Sequence, residues 1–124
     1  MAENKSNYTQ EEKEKLIKKE VLKLKAFFED LGEGQAEIAN RLIEEAAFLK
    51  VTLTDLKETI NREGTETAYQ NGATQWGTKR SPAFENYINA NKQHSSIMKQ
   101  LNEMLPDDGV NADARELLDF IANR

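Results

Sequence analysis

Residues 35–63 read QAEIANRLIEEAAFLKVTLTDLKETINRE, and the spacing of their apolar side chains decides the fold. Ile38, Leu42, Ala46, Leu49, Leu53, Leu56 and Ile60 fall in line at intervals of three and four, flanked by Ala39 and Ile43, which predicts a helix with one buried face. At 1.5 Å per residue it spans roughly 40 Å. Val51, Thr52 and Thr54 weaken it, because β-branched side chains lose rotamer freedom in a helix. Continuity is the favoured reading.

Upstream, Thr9 and Glu12 match a capping box and start a first helix. Its stripe is Ile17, Val21, Leu24, Phe28 and Leu31, and Gly32 and Gly34 are expected to end it. So short a linker folds the two helices into an antiparallel hairpin. Downstream, Gly64 closes the long helix, and Thr65 to Ser81 lacks helical periodicity and reads as a loop. Ser81-Pro82 caps a third helix with the stripe Phe84, Tyr87, Met98, Leu101 and Leu105, interrupted by Asn91 and His94. Pro106 and Asp107-Asp108-Gly109 stop it, and a short last helix is expected from about Ala112 to Asn123.

The expected architecture is therefore all-α. A disordered N-terminus (1–8) precedes the helical hairpin (9–63), a loop (64–81), the third helix (82–105), and an acidic turn with a docking C-terminal helix (106–124). The chain has 124 residues, five Phe, three Tyr and one Trp, which suits one small domain whose core neighbouring chains complete. On that view Ile17, Val21, Leu24, Phe28, Leu42, Leu49, Leu53 and Leu56 are candidates for a homo-oligomer interface. Leu117, Leu118, Phe120 and Ile121 are candidates for docking a partner.

Composition narrows the chemistry. With no cysteine there is no disulfide scaffold, thiol nucleophile or Cys-ligated metal. One histidine without carboxylates at helical spacing gives no metal site, and no nucleophile faces a base, so neither an enzyme nor a cofactor is expected. Asn91 and His94 read as polar register-setters in a helix interface. No apolar run is long enough for a signal peptide or a membrane span.

The net charge of -5 is unevenly spread, at +2 over residues 1–25, -6 over 26–66, +3 over 67–101 and -4 over 102–124. Lys15, Lys18 and Lys19 project away from the first helix's apolar stripe, with Lys23 and Lys25 on its flanks, and Lys79 and Arg80 follow a segment holding Tyr69, Asn71-Gly72 and Trp76. Cations interleaved with aromatic and amide side chains suit phosphate contact or a protein neighbour, and Lys15, Lys18, Lys19, Lys23, Lys79 and Arg80 are the candidate phosphate contacts. A solvated helix face, and a loop whose Tyr69 and Trp76 cap the core, are the plainer alternatives. Taken from the residues alone, the chain is an oligomeric or adaptor-like helical protein.

The stretch RLIEEAAFLKVTLTDLKETINREGTETAYQNGATQWGTKRSPAFENYINANKQHSSIMKQLNEMLP resembles the terminase small subunit of tailed bacteriophages, over roughly Ile38 to Pro106. Leu53 and Leu56 leading to Ile60 and Gly64, then Tyr69-Gln70-Asn71-Gly72, Gly77, Lys79, Ser81-Pro82 and Tyr87, and finally Leu101 to Pro106 carry the likeness by their order and spacing. The resemblance implies a non-catalytic packaging factor in the cytoplasm of the infected bacterial host. Its subunits assemble into a homo-oligomeric ring, bind viral double-stranded DNA and recruit or regulate the large ATPase/nuclease subunit, with no membrane involved. Met1 to Leu31 is too short for the separate helix-turn-helix domain that some members carry, so the DNA contacts rest on the charges above. A DNA-binding transcriptional regulator and a helical adaptor without DNA binding are the alternatives.

Overall fold

Thr9 starts the first helix as its neighbours predict. Its hydroxyl accepts the Glu12 amide at 3.1 Å, the Glu12 carboxylate accepts the Thr9 amide at 3.1 Å, and α1 runs Gln10–Lys25. The structure, a computed structural model, describes residues 6–105, 116–118 and 120–121. A single 3-10 turn, Ala26–Phe28, follows α1, and α2 occupies Glu33–Glu63. Gly32 is extended (φ -61, ψ 158) and caps the start of α2, while Gly34 lies inside its first turn. The two glycines therefore begin the second helix instead of ending the first.

α2 is unbroken across Val51–Thr54. The Thr54 hydroxyl donates to the Lys50 carbonyl at 3.0 Å, and Val51 and Leu53 are buried, so tertiary packing outweighs the modest propensity loss. Gly64 ends it at φ 85, a left-handed geometry that a Cβ would strain, with its amide bonded to the Ile60 carbonyl.

Residues 65–81 differ from expectation. They form an antiparallel β-hairpin, β1 Glu66–Gln70 and β2 Trp76–Arg80, so the fold is mostly helical with a small two-stranded sheet and not all-α. The register pairs Glu66 with Arg80, Ala68 with Thr78 and Gln70 with Trp76. Thr67, Tyr69, Trp76 and Thr78 all favour extended backbone, and the Asn71-Gly72 dipeptide, with Gly72 at φ 94, supplies the turn chemistry. The Asn71 amide closes the connection on the Gln75 carbonyl at 2.8 Å.

Ser81 then caps α3, Pro82–Met104, by accepting the Phe84 amide at 3.0 Å, with Pro82 in the first turn. α2 sits between α1 and α3, which both run against it. Lys13 meets Asp55 at one end, and Leu24 and Phe28 join Ala39, Ile43, Ala46, Met98 and Leu101 at the other. The core lies in that second half, roughly 25 Å along α2 from the β-hairpin. Leu24, Ile43, Leu101 and Leu118 are fully buried, each worth about 1.5–3 kcal/mol of apolar transfer.

The buried face of α2 is rotated from the expected stripe. Ala39, Ile43, Ala46 and Ala47 are inside while Ile38 is 57% exposed, because small residues let α1 and α3 approach α2 from both sides. Three residues offered to a partner chain, Leu24, Phe28 and Leu53, are buried in their own chain. Leu42, Leu49 and Val21 pack partly against the core, and Ile17 and Leu56 remain half-buried. On α3, His94 is buried at 6% exposure and Asn91 is exposed, so only the histidine belongs to the interface between helices.

The N-terminal expectation changes too. Ser6 to Tyr8 are tied to α2, while residues 1–5 lie outside those described. At the other end, 116–118 and 120–121 are helical, and the expected turn at 106–111 lies outside the described residues. Leu118 is buried in the core, which removes it from the docking candidates; Leu117 and Phe120 are 50% and 57% exposed, and Ile121 is half-buried.

Candidate functional site

The β-hairpin grows out of the junction between α2 and α3, where the Ser81 amide donates to the Thr65 carbonyl at 2.9 Å. Five-residue strands reach about 17 Å from that base. Apart from Thr67 and Gly77, both half-buried, every strand residue is exposed, and the extensive packing of each strand is against the other. Trp76 is 70% exposed and Tyr69 43%, so neither caps the core.

Alternation along the strands sorts the side chains into two faces. Tyr69 and Lys79 share one with Gly77; Trp76, Thr78 and Arg80 share the other. Tyr69 lies across the backbone of Gly77, where a Cβ would come within 2.9 Å of the ring. Glycine is needed at that point for the aromatic ring to lie flat on the neighbouring strand. The Arg80 guanidinium stands 5.9 Å from the centre of the Phe84 ring, a cation–π contact that braces the arm's base on α3. Neither Lys79 nor Arg80 forms an ion pair among the described residues.

Lys15, Lys18, Lys19 and Lys23 are exposed along α1, as their spacing predicts. Lys15 pairs with Glu11 at 3.9 Å, with both side chains about four-fifths exposed, an interaction worth little in water. Lys13 instead reaches Asp55, which marks where α1 lies along α2. From that level Lys18 and Lys19 lie roughly 8 Å further from the β-hairpin and Lys23 roughly 15 Å. A single chain therefore presents two separate cationic regions instead of one patch.

Between them is a polar knot that the sequence did not reveal. The Asp55 carboxylate accepts the Ser6 hydroxyl at 2.6 Å and both the backbone and side-chain amides of Asn7 at 2.8 Å. Burial pushes this carboxyl up, but the bonds from Ser6 and Asn7 and the charge of Lys13 prevail and hold it below the usual carboxylate range. Asn7 also donates to the Thr59 hydroxyl and accepts from Arg62, and the Tyr8 hydroxyl donates to Glu58, pushing the phenol up to about 12. Asn and Asp at 48 residues' separation carry no periodic signal, so nothing in one sequence could have paired them.

A cavity of about 300 Å³ opens beside this knot, lined by Asp55, Thr59, Glu66, Ser81 and Asn86 among others. Its charged lining is acidic, from Asp55, Glu63 and Glu66, so it is unsuited to phosphate. Among the described residues no three His, Cys, Asp or Glu side chains are gathered as for a metal. Burial, and secondarily Lys50, pushes His94 down, which keeps its imidazole neutral inside the helix interface. None of the described helices is long and apolar enough to cross a membrane.

The second feature beyond sequence reasoning is an apolar groove along the α1–α2 seam, on the side away from α3. One stretch is lined by Ile17, Lys18, Val21, Leu22 and Glu44; it continues past Ile17 to Phe48, Val51 and Leu56. Leu22 is 71% exposed and Phe48 52%, large apolar side chains that no part of the described chain covers. No protein-family model, curated protein or solved structure matches the chain.

Proposed function

We propose that this chain is a terminase small subunit, a non-catalytic factor that binds viral double-stranded DNA, assembles into a homo-oligomeric ring and recruits or regulates the large ATPase/nuclease subunit in the infected bacterial cell. The ordered resemblance across residues 38–106 suggests the reading, and one structural observation supports it best. Lys79 and Arg80 form no ion pair among the described residues, and they stand on an exposed arm that also carries Tyr69 and Trp76. Among the described residues the arm contributes none to the buried core, and its side chains suit a phosphate backbone.

Each subunit is net acidic at -5, yet a ring repeats the arm and the α1 lysines at a fixed radius and so builds a basic collar. Leu117 and Phe120, exposed at the opposite end from the arm, are the surface proposed to meet the large subunit. The test is duplex-DNA binding by anisotropy across a salt series. Changing Lys79 and Arg80 together to Glu is expected to weaken binding and flatten the salt dependence by roughly one unit of log–log slope for each of the two that contacts phosphate. Parent-like binding by that variant at every salt concentration overturns the assignment of the arm.

A further inference from the structure

We propose that the Trp76 face of the β-hairpin docks into the α1–α2 groove of a second copy of this chain, making the arm the clasp between subunits. The inference rests on the oligomeric part of the reading above and adds which surfaces meet. Trp76 is the only tryptophan, it is 70% exposed, and the extensive packing of its strand is against the partner strand. A large aromatic residue left in water at the tip of an arm is the commonest kind of interface anchor.

The groove fits that occupant in chemistry and in length. Its floor is apolar, with Ile17, Val21, Leu22 and Phe48, and its α2 rim carries Glu44, which forms no ion pair among the described residues. Arg80 shares the face of Trp76 four residues along the strand, about 13 Å away. On α2, Glu44 and Thr52 are eight residues apart, about 12 Å. A strand laid along the seam can thus seat Trp76 near Phe48 and Thr52 while Arg80 reaches Glu44. The polarity follows from the carboxylates: Glu44 is without an ion pair among the described residues and outweighs Lys18 in the same stretch, whereas the reversed strand would bring Arg80 to the Lys13 end of the seam, where Asp55 is already engaged.

An arm at one end of the molecule and a groove along its side form a heterologous contact. Such contacts propagate head to tail and close into a ring when the rotation per subunit divides the circle. The other face of the arm, with Tyr69 and Lys79, stays free for DNA. The two cations are thereby given different partners.

The lone tryptophan reports directly. Its emission is followed against concentration alongside absolute mass from light scattering, with and without duplex DNA. Expected are a blue shift that tracks assembly and, for Trp76→Ala, assembly at roughly 30-fold higher concentration or more, the size of a hot-spot truncation. Phe48→Glu, at a half-exposed site, should break assembly and leave Trp76 emission solvated, with circular dichroism confirming the helices. Arg80→Glu should weaken assembly and Glu44→Arg restore it in the double variant, whereas Lys79→Glu should alter only DNA binding. Assembly with solvated Trp76 emission and an unaffected Trp76→Ala variant overturns the clasp but leaves the ring reading standing. A monomer at all concentrations overturns both. A shift that appears only on adding DNA overturns the clasp in favour of base stacking.

Discussion

The two ends of the molecule use their large side chains in opposite ways. Where α1, α2 and α3 converge with residues 116–121, Leu24, Ile43, Leu101 and Leu118 are sealed from solvent. At the other end the β-hairpin leaves Trp76 and Tyr69 in water and is held along its length mainly by strand pairing. An isolated two-stranded hairpin is marginal in water, so this one depends on its clamped base at Thr65, Ser81 and Phe84. Buried residues cluster at one end; among the exposed large apolar side chains, Tyr69 and Trp76 stand on an element that adds nothing to the core, whereas Leu22, Ile38, Phe48, Leu117 and Phe120 lie on helical segments that do. That division is the ground on which the arm is proposed as the functional element.

The contrast can be broken most directly at Leu101. Leu101→Ala should lower unfolding stability by about 2–5 kcal/mol in urea titrations. A loss under about 1 kcal/mol would mean that the far end is loosely packed and the two ends are alike.

Next in size is the knot that joins the N-terminal segment to α2. Asp55→Ala removes charged hydrogen bonds to Ser6 and Asn7 and should cost about 2 kcal/mol. Because folding holds this carboxyl below its unfolded value of about 4, its contribution is complete above that pH and is lost as pH falls through the lower folded value. Acid titration followed by the Asn7 amide resonance should therefore release the segment only below about pH 4, and not in the Asp55→Ala variant, where it is already free.

A smaller effect sharpens the description of the arm. Gly77→Ala should turn the Tyr69 ring away and cost about 1 kcal/mol, visible as faster amide exchange in the strands with the helices unchanged. Combined with Tyr69→Ala the penalty should shrink, since the three atoms nearest the added methyl all belong to the Tyr69 side chain.

Smallest of all, Trp76→Ala should change the stability of the dilute chain by no more than about 0.5 kcal/mol. A cost comparable to that of Leu101→Ala would show that the tryptophan is structural and would erase the difference between the ends.

Much of the helical body was legible in one dimension. The Thr9–Glu12 box, the Ser81-Pro82 start and the Gly64 stop act within four residues, and local geometry reports them faithfully. The strands were legible in principle, from Thr67, Tyr69, Trp76 and Thr78 around Asn71-Gly72, but Gly77 and the amide side chains mask a two-residue alternation. The candidate cations were found by charge alone, and their exposure agrees, although a helix-period argument could not say that Lys23 and Lys79 lie far apart.

By itself, then, the sequence determined where α1 and α3 begin, where α2 ends and which side chains carry charge, because capping, glycine geometry and solvation are settled between near neighbours. Only the tertiary structure decided that α2 packs on both sides through Ala39, Ala46 and Ala47, and that Leu24, Phe28, Leu53 and Leu118 serve their own chain. It alone decided that Asn7 binds Asp55 and that Trp76 stays in water. Those outcomes depend on how much apolar surface each competing arrangement removes from water, a property of whole elements meeting in space that no local spacing encodes.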